Sequence, residues 1–126
     1  GIKIIVVDYL QLLSGVGDNR EQQIASISKV MKAMALELDC AVFALSQLTD
    51  DGKLRESRSI GHDADSIWKL ENNGEWKPDI QPIKLRVDKC RDGETGLVEL
   101  VFNKQFTRFE SASKVSDGDV PNYENH

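Results

Sequence analysis

Two short apolar runs on either side of an amphipathic segment constrain the fold of this chain more than any other feature. The first run, Ile-Ile-Val-Val at residues 4–7, ends at Asp8, and the second covers residues 40–45. β-branched residues favour strands, and an unbroken apolar run fits a strand buried on both faces of a parallel sheet. We therefore predict two buried strands.

The segment between these runs, residues 20–38, predicts a helix. Its apolar residues recur at three- and four-residue steps and form one face, made of Ile24, Ile27, Met31, Met34, Ala35 and Leu38. Asp18 or Asn19 can cap the first turn, where the helix dipole also favours the acidic Glu21. Strand, helix and strand with short connections predict a βαβ unit.

The second half of the chain predicts further strands. Residues 66–70 form a third strand, and residues 83–89 and 96–103 form a hairpin, because their connection contains Asp-Gly, a strong turn signal. Residues 106–109 add a short edge strand. Trp68 is expected in the core, and Trp76 is the weaker candidate for contact with a partner.

Length and composition suit one globular domain. We place it at residues 1–110 of 126 and expect a disordered tail at 111–126, which is rich in Ser, Asp, Gly and Asn. No apolar run approaches the roughly 20 residues that span a bilayer, and no signal peptide is visible, so we expect a cytoplasmic protein without membrane contact. The net charge of −5 argues against a general nucleic-acid coat protein, but it leaves open a motor whose pore alone is basic.

Asp8 is the first candidate for chemistry. A carboxylate at the carboxyl end of a central parallel strand faces the crevice where nucleotides bind, and it can hold Mg²⁺ directly or through water. Taken alone, an Asp at a strand end is better explained by the turn that follows. The segments that come after it change this balance.

Five segments, in order, resemble the DnaB-like replicative DNA helicases of bacteria and phages. They are DYLQL at 8–12, ALSQL at 44–48, LRESRSI at 54–60 with DAD at 63–65, KCRDG at 89–93, and FNKQFTRF at 102–109. The resemblance covers residues 2–110, and five motifs in the right order are specific evidence. It implies an α/β, RecA-like (P-loop NTPase) core, mainly a parallel sheet flanked by helices, with a C-terminal antiparallel hairpin.

The resemblance also implies roles for single residues at an ATP site. Asp8 is the Walker B aspartate that binds Mg²⁺, and Gln47 is the glutamine that senses the γ-phosphate of ATP. Lys89 and Arg91, two residues apart on one face of a strand end, reach the ATP site of the neighbouring subunit. There Arg91 acts as an arginine finger, which stabilises charge on the transferred phosphoryl group. Ordinary surface residues of a hairpin are the alternative for this pair.

The DNA-contacting segment of the family matches four residues here: Arg55, Glu56, Ser57 and Arg58. Cations and loop N–H groups suit the backbone of single-stranded DNA. This chain departs from the family pattern, because the connection between residues 48 and 54 is shorter, Arg58 stands where Gly is usual, and Gly61-His62 replaces Glu-Gln. For any single residue of the segment, a solvated surface loop remains the alternative.

The sequence contains no phosphate-binding loop of the form GxxxxGK[ST]. We expect that loop, and the glutamate that activates water, upstream of Gly1, so this chain alone should not hydrolyse ATP. The resemblance implies a hexameric, 5′-to-3′ helicase that uses ATP and Mg²⁺ and binds single-stranded DNA, with primase and a helicase loader as further partners. Two alternatives stay open: a fragment of a recombinase- or clock-type RecA-like ATPase, and a non-catalytic adaptor of a helicase ring.

Overall fold

The computed structural model describes residues 1–48, 58–75 and 77–114, without the side chains of Arg58 and Lys114. Its contacts divide the chain into two compact units, Gly1–Ala64 and Asp65–His126. The single domain expected over residues 1–110 stays a prediction.

The first unit contains the predicted βαβ arrangement. Its elements are strand β1 (Ile4–Val7), a 3-10 turn (Leu10–Leu12), helix α1 (Arg20–Glu37), strand β2 (Ala41–Ala44) and helix α2 (Arg58–Asp63). β1 and β2 pair in parallel, with Val7 opposite Ala44 at their carboxyl ends. Both predicted strands and the helix between them are therefore confirmed.

Helix α1 begins and ends with local hydrogen bonds that the sequence supplies. The Asn19 side chain accepts a hydrogen bond from the backbone N–H of Gln22, at 2.9 Å. At the other end, Asp39 has φ = 47°, and the Cys40 N–H donates to the carbonyl of Ala35 at 3.1 Å. This six-residue closure around a left-handed residue is a Schellman C-cap, with Asp where Gly is usual.

One face of α1 forms the core of the first unit. Leu10, Ile24 and Ile27 are buried, and Val7 packs against them. The opposite side chains of β1 are open: Ile4 is 57% exposed and Val6 is 63% exposed. The expectation that β1 is buried on both faces is wrong for this structure, because successive side chains of a strand point to opposite faces and only the Val7 side packs against α1.

The second unit contains a four-stranded antiparallel sheet in the order β3-β4-β5-β6. The strands are β3 (Ser66–Asn72), β4 (Ile80–Cys90), β5 (Gly96–Asn103) and β6 (Arg108–Ser111). The predicted hairpin is confirmed as β4 and β5, with Ile83 opposite Leu100. The predicted third strand pairs with β4 and runs antiparallel to it, which suits the short connection at residues 73–79, since parallel strands need a longer crossover.

Two details of the second unit differ from expectation. Trp68 is 56% exposed, so its assignment to the core is wrong. β3 alternates between exposed and half-buried residues, and Trp68 falls on the exposed side, where its indole N–H donates to the Ser66 hydroxyl at 2.6 Å. β6 reaches Ser111 and a 3-10 turn covers Ala112–Lys114, so the ordered chain extends past residue 110. Trp76 and the remainder of the predicted tail lie outside the described residues.

Ion pairs cross from β3 to β4. Both Arg86 donors, Nε and an Nη, lie 3.0 Å from the two carboxylate oxygens of Glu71, and Lys69 lies 2.6 Å from Asp88. The hydrogen bond from Arg86 holds the pKa of Glu71 below its ordinary value. The same bond raises the pKa of Arg86. The pairing therefore favours the charged form of both residues.

Candidate nucleotide site

Asp8 follows directly after β1, at the carboxyl edge of the parallel pair. Its side chain is exposed, and within residues 1–48, 58–75 and 77–114 it makes no hydrogen bond or ion pair. The Asp8–Tyr9 peptide bond is cis. A carboxylate that is not committed to another group can serve as a ligand for a hard cation such as Mg²⁺, so the residue fits its predicted role.

Gln47 lies at the same edge, three residues beyond the end of β2. Two backbone hydrogen bonds join the segments that follow the two strands: Leu45 N–H donates to the Val7 carbonyl, and Leu10 N–H donates to the Leu45 carbonyl, both at 2.9 Å. The Gln47 side chain is exposed. The first unit therefore brings Asp8 and Gln47 to one edge of one sheet, as the sequence predicts.

A third residue, Gln11, connects these two segments, and the sequence analysis assigned no role to it. Its side-chain N–H donates to the Ser46 hydroxyl at 3.0 Å, and its side-chain oxygen accepts from the backbone N–H of Gln47 at 3.3 Å. Gln11 stands inside the DYLQL segment, so its motif was visible in the sequence. Its contacts were not, because Gln11 and Gln47 are 36 residues apart.

Lys89 and Arg91 lie in the second unit, at the end of β4 and in the turn after it. The Arg91 guanidinium lies 2.9 Å from a carboxylate oxygen of Asp65, and both side chains are about half exposed, at 51% and 52%. The backbone N–H of Arg91 also donates to the Asp65 carbonyl at 2.8 Å. Asp65 thus orients Arg91 from both its backbone and its side chain, a contact that the sequence analysis missed.

The predicted DNA-contacting segment is only partly visible. Arg55, Glu56 and Ser57 lie outside the described residues, and Arg58 is the first residue of α2. Their role in DNA binding stays a prediction. None of the helices in the described part of the chain is long and apolar enough to cross a membrane.

Comparison with known proteins assigns the chain to a family. Residues 1–111 match the profile of the DnaB-like helicase C-terminal domain. The chain belongs to the DnaB-like helicase C-terminal domain family. This match spans every segment of the predicted resemblance, from DYLQL to the closing strands, and the resemblance is therefore confirmed.

Individual DnaB-like proteins agree with the match. The chain is 39% identical, over 93% of its length, to replicative DNA helicase DnaB of Pasteurella multocida (strain Pm70). It is 35% identical, again over 93% of its length, to replicative DNA helicase DnaB of Geobacillus stearothermophilus. It spans 28% of the first protein and 30% of the second, less than a third of each.

A solved structure of a helicase ATPase domain supports the fold. It superimposes on this chain with a TM-score of 0.75 and 36% identity, over 86% of this chain and 44% of the solved one. An α/β, RecA-like fold with a parallel sheet, flanking helices and a C-terminal antiparallel sheet is therefore confirmed. The antiparallel part is larger than a hairpin, since it has four strands.

Proposed function

We propose that this chain is part of the ATP-driven motor of a replicative DNA helicase, which unwinds duplex DNA while it moves along single-stranded DNA. The observation that carries the proposal is the placement of Asp8 and Gln47 at one carboxyl edge of the parallel pair, within a chain of the DnaB-like family. In open α/β sheets, nucleotides bind at this edge. The named relatives are replicative helicases, which supports the same assignment.

In this proposal Asp8 and Gln47 act on the nucleotide held by their own subunit. Asp8 would hold Mg²⁺, which neutralises charge on the phosphates of ATP. Gln47 presents a neutral amide that hydrogen-bonds a γ-phosphate oxygen or the attacking water without titrating. Loss of this contact after hydrolysis would release the segment after β2, a common way for a nucleotide to switch a loop.

Lys89 and Arg91 act on the nucleotide of the next subunit. Triphosphate retains net negative charge even with Mg²⁺ bound, and two cations entering from a neighbour would stabilise it as the phosphoryl group transfers. Arg91 supports this assignment by its exposure and by its contact with Asp65, which directs a half-exposed guanidinium instead of burying it. This arrangement requires a homo-oligomer, which we propose to be a hexameric ring.

The remaining parts of the proposal concern partners and direction. We propose that Arg55, Glu56, Ser57 and Arg58 track the backbone of single-stranded DNA, and that movement is 5′-to-3′. Primase and a helicase loader are the protein partners expected of a replicative motor that acts in the cytoplasm. The phosphate-binding loop and the water-activating glutamate would come from the part of the protein outside this sequence.

Substitution of the metal-binding carboxylate tests the proposal. In the full-length protein we expect Asp8→Asn to abolish ATP hydrolysis and ATP-dependent strand separation, because an amide is a poor ligand for Mg²⁺. Asp18→Asn, a change of the same kind in the exposed loop before α1, should leave both activities intact. The 126-residue chain alone should not hydrolyse ATP above background.

Two results would contradict this function. Hydrolysis by the isolated chain that is insensitive to Asp8→Asn would remove Asp8 from the site. Absence of hydrolysis and strand separation in the wild-type full-length protein would instead favour the non-catalytic adaptor.

A further inference from the structure

We propose that Gln11 is a positioning residue for Gln47, the residue that senses the γ-phosphate. The inference rests on the proposed function, because it assumes that Gln47 acts on bound nucleotide. It goes further by naming the side chain that fixes where the sensor begins. Gln11 itself lies on the neighbouring segment, close in sequence to Asp8, so it would connect the metal-binding residue to the sensor.

The geometry gives Gln11 a hold on two consecutive residues. One end of its amide donates to the Ser46 hydroxyl at 3.0 Å, and the other end accepts from the Gln47 N–H at 3.3 Å. Ser46 and Gln47 have no strand pairing of their own, since β2 ends at Ala44. The Gln11 side chain therefore supplies hydrogen bonds to a backbone segment that the sheet no longer holds.

Gln11 can hold this segment because its own backbone is fixed. An Arg20 Nη donates to the Gln11 carbonyl at 2.6 Å, and another donates to the Leu13 carbonyl at 3.0 Å. The preceding residue, Leu10, is 2% exposed and packs in the core against Ile24. A side chain whose backbone is anchored by a core contact and by α1 loses little further entropy when it holds another group.

The chemistry of this position suits an amide. Glutamine donates at one end and accepts at the other, so it can bind a hydroxyl and a backbone N–H together. It also carries no charge, whereas a carboxylate at this place would stand near the phosphates that Gln47 is proposed to contact. Gln11 would thus fix the sensor without adding repulsion toward ATP.

The first experiment measures the Gln47 backbone without nucleotide. In the full-length protein, amide hydrogen exchange in the segment 46–48 should be faster in Gln11→Ala than in the wild type, because the Gln47 N–H loses its acceptor. Gln11→Glu keeps an acceptor oxygen and should restore slow exchange. Gln22→Ala is the control, since Gln22 accepts from Asp18 at the N-terminal end of α1. Equal exchange in Gln11→Ala and the wild type would overturn the contact.

The second experiment is a double-mutant cycle on ATP hydrolysis. We expect Gln11→Ala to lower kcat about 10-fold or more, with KM for ATP unchanged, because a small displacement of a catalytic group has large effects. In a Gln47→Ala background, Gln11→Ala should have no additional effect, since it acts through Gln47. If Gln11→Ala disturbs folding, Ser46→Ala removes one of the two bonds and should give a smaller fall in kcat.

The outcomes separate this inference from the function on which it rests. Normal hydrolysis in Gln47→Ala would contradict the sensor role of Gln47, and the proposal for Gln11 would fail with it. A fall in Gln47→Ala together with normal hydrolysis in Gln11→Ala would overturn only the proposal for Gln11. Additive effects in the double variant would also overturn it, because Gln11 would then act by a separate route.

Discussion

Arg91 is the residue at which a functional and a structural role can be separated most clearly. It lies in the turn after β4, about half exposed, and contacts Asp65 through its side chain and its backbone. Exposed ion pairs contribute at most about 1 kcal/mol to stability. A large effect of substituting Arg91 would therefore have to come from its action on a partner and not from the fold.

We expect Arg91→Ala in the full-length protein to cut ATP hydrolysis by about 10³-fold or more, the range of arginine fingers. Nucleotide affinity should stay nearly unchanged, because Arg91 acts on charge that develops during phosphoryl transfer. Steady-state hydrolysis and equilibrium nucleotide binding measure the two quantities. Arg108→Ala is the matched control, since Arg108 is also an exposed arginine paired with a carboxylate, that of Glu110.

Mixed rings decide which subunit Arg91 serves. A ring of Arg91→Ala subunits and phosphate-loop variants contains junctions where an intact loop meets an intact Arg91. Some activity should return at these junctions if Arg91 acts across the interface. No recovery in rings proven to be mixed would exclude Arg91 from its neighbour's site.

Helix α1 determines much of the first unit, and its C-terminal end contains an unfavourable residue. Asp39 adopts φ = 47°, where a Cβ atom crowds the backbone, and its charge opposes the negative end of the helix dipole. We expect Asp39→Gly to raise the free energy of unfolding by up to about 1 kcal/mol. Urea unfolding with an unchanged m-value would measure it.

Asp39→Asn separates the two causes, because it removes the charge and keeps the Cβ atom. Its gain should be smaller than that of Asp39→Gly. A loss of stability in Asp39→Gly would contradict the assignment of a left-handed cap at this residue.

The β3–β4 pair predicts a pH dependence of stability. The pKa of Glu71 is lowered in the folded state by its hydrogen bond to Arg86. A carboxyl group with a lowered folded pKa stabilises the fold above its ordinary pKa, here 4.5, and loses that contribution as the pH falls through the lowered value. The stability difference between the wild type and Glu71→Gln should therefore be complete at neutral pH and shrink below about pH 4.5.

Thermal unfolding at a series of pH values measures this difference. Glu99→Gln, a change of the same kind on β5, controls for the loss of one negative charge. A constant difference between the wild type and Glu71→Gln from neutral pH down to strongly acidic pH would contradict the pairing as a source of stability.

On the scale of the whole molecule, the net charge of −5 requires DNA contacts to be local. If Arg55 contacts one phosphate, Arg55→Ala in the full-length protein should weaken binding of single-stranded DNA and lower the slope of log K against log[salt] by about 0.7. Binding measured across a salt series tests this. Arg108→Ala again serves as the control. An unchanged slope and affinity would place Arg55 away from the DNA.

Several features could be predicted from the sequence because they depend on short-range patterns. The periodicity of α1, the strand runs on either side of it and the Asp-Gly connection between β4 and β5 all involve residues close together in the chain. The same holds for the order of the five motifs, which was enough to indicate the DnaB-like family. Asp8 and Gln47 could be placed at one sheet edge because parallel strands bring their carboxyl ends together.

Tertiary structure decided the features that depend on contacts between distant residues. The bridge from Gln11 to Ser46 and Gln47 joins residues 35 and 36 positions apart, and the contact between Asp65 and Arg91 joins two separate segments of the second unit. Neither has a local pattern, because a polar side chain can find a partner anywhere that the backbone brings one. Burial was also decided in this way: an apolar residue such as Val6 or Trp68 carries no sign of which sheet face its neighbours cover.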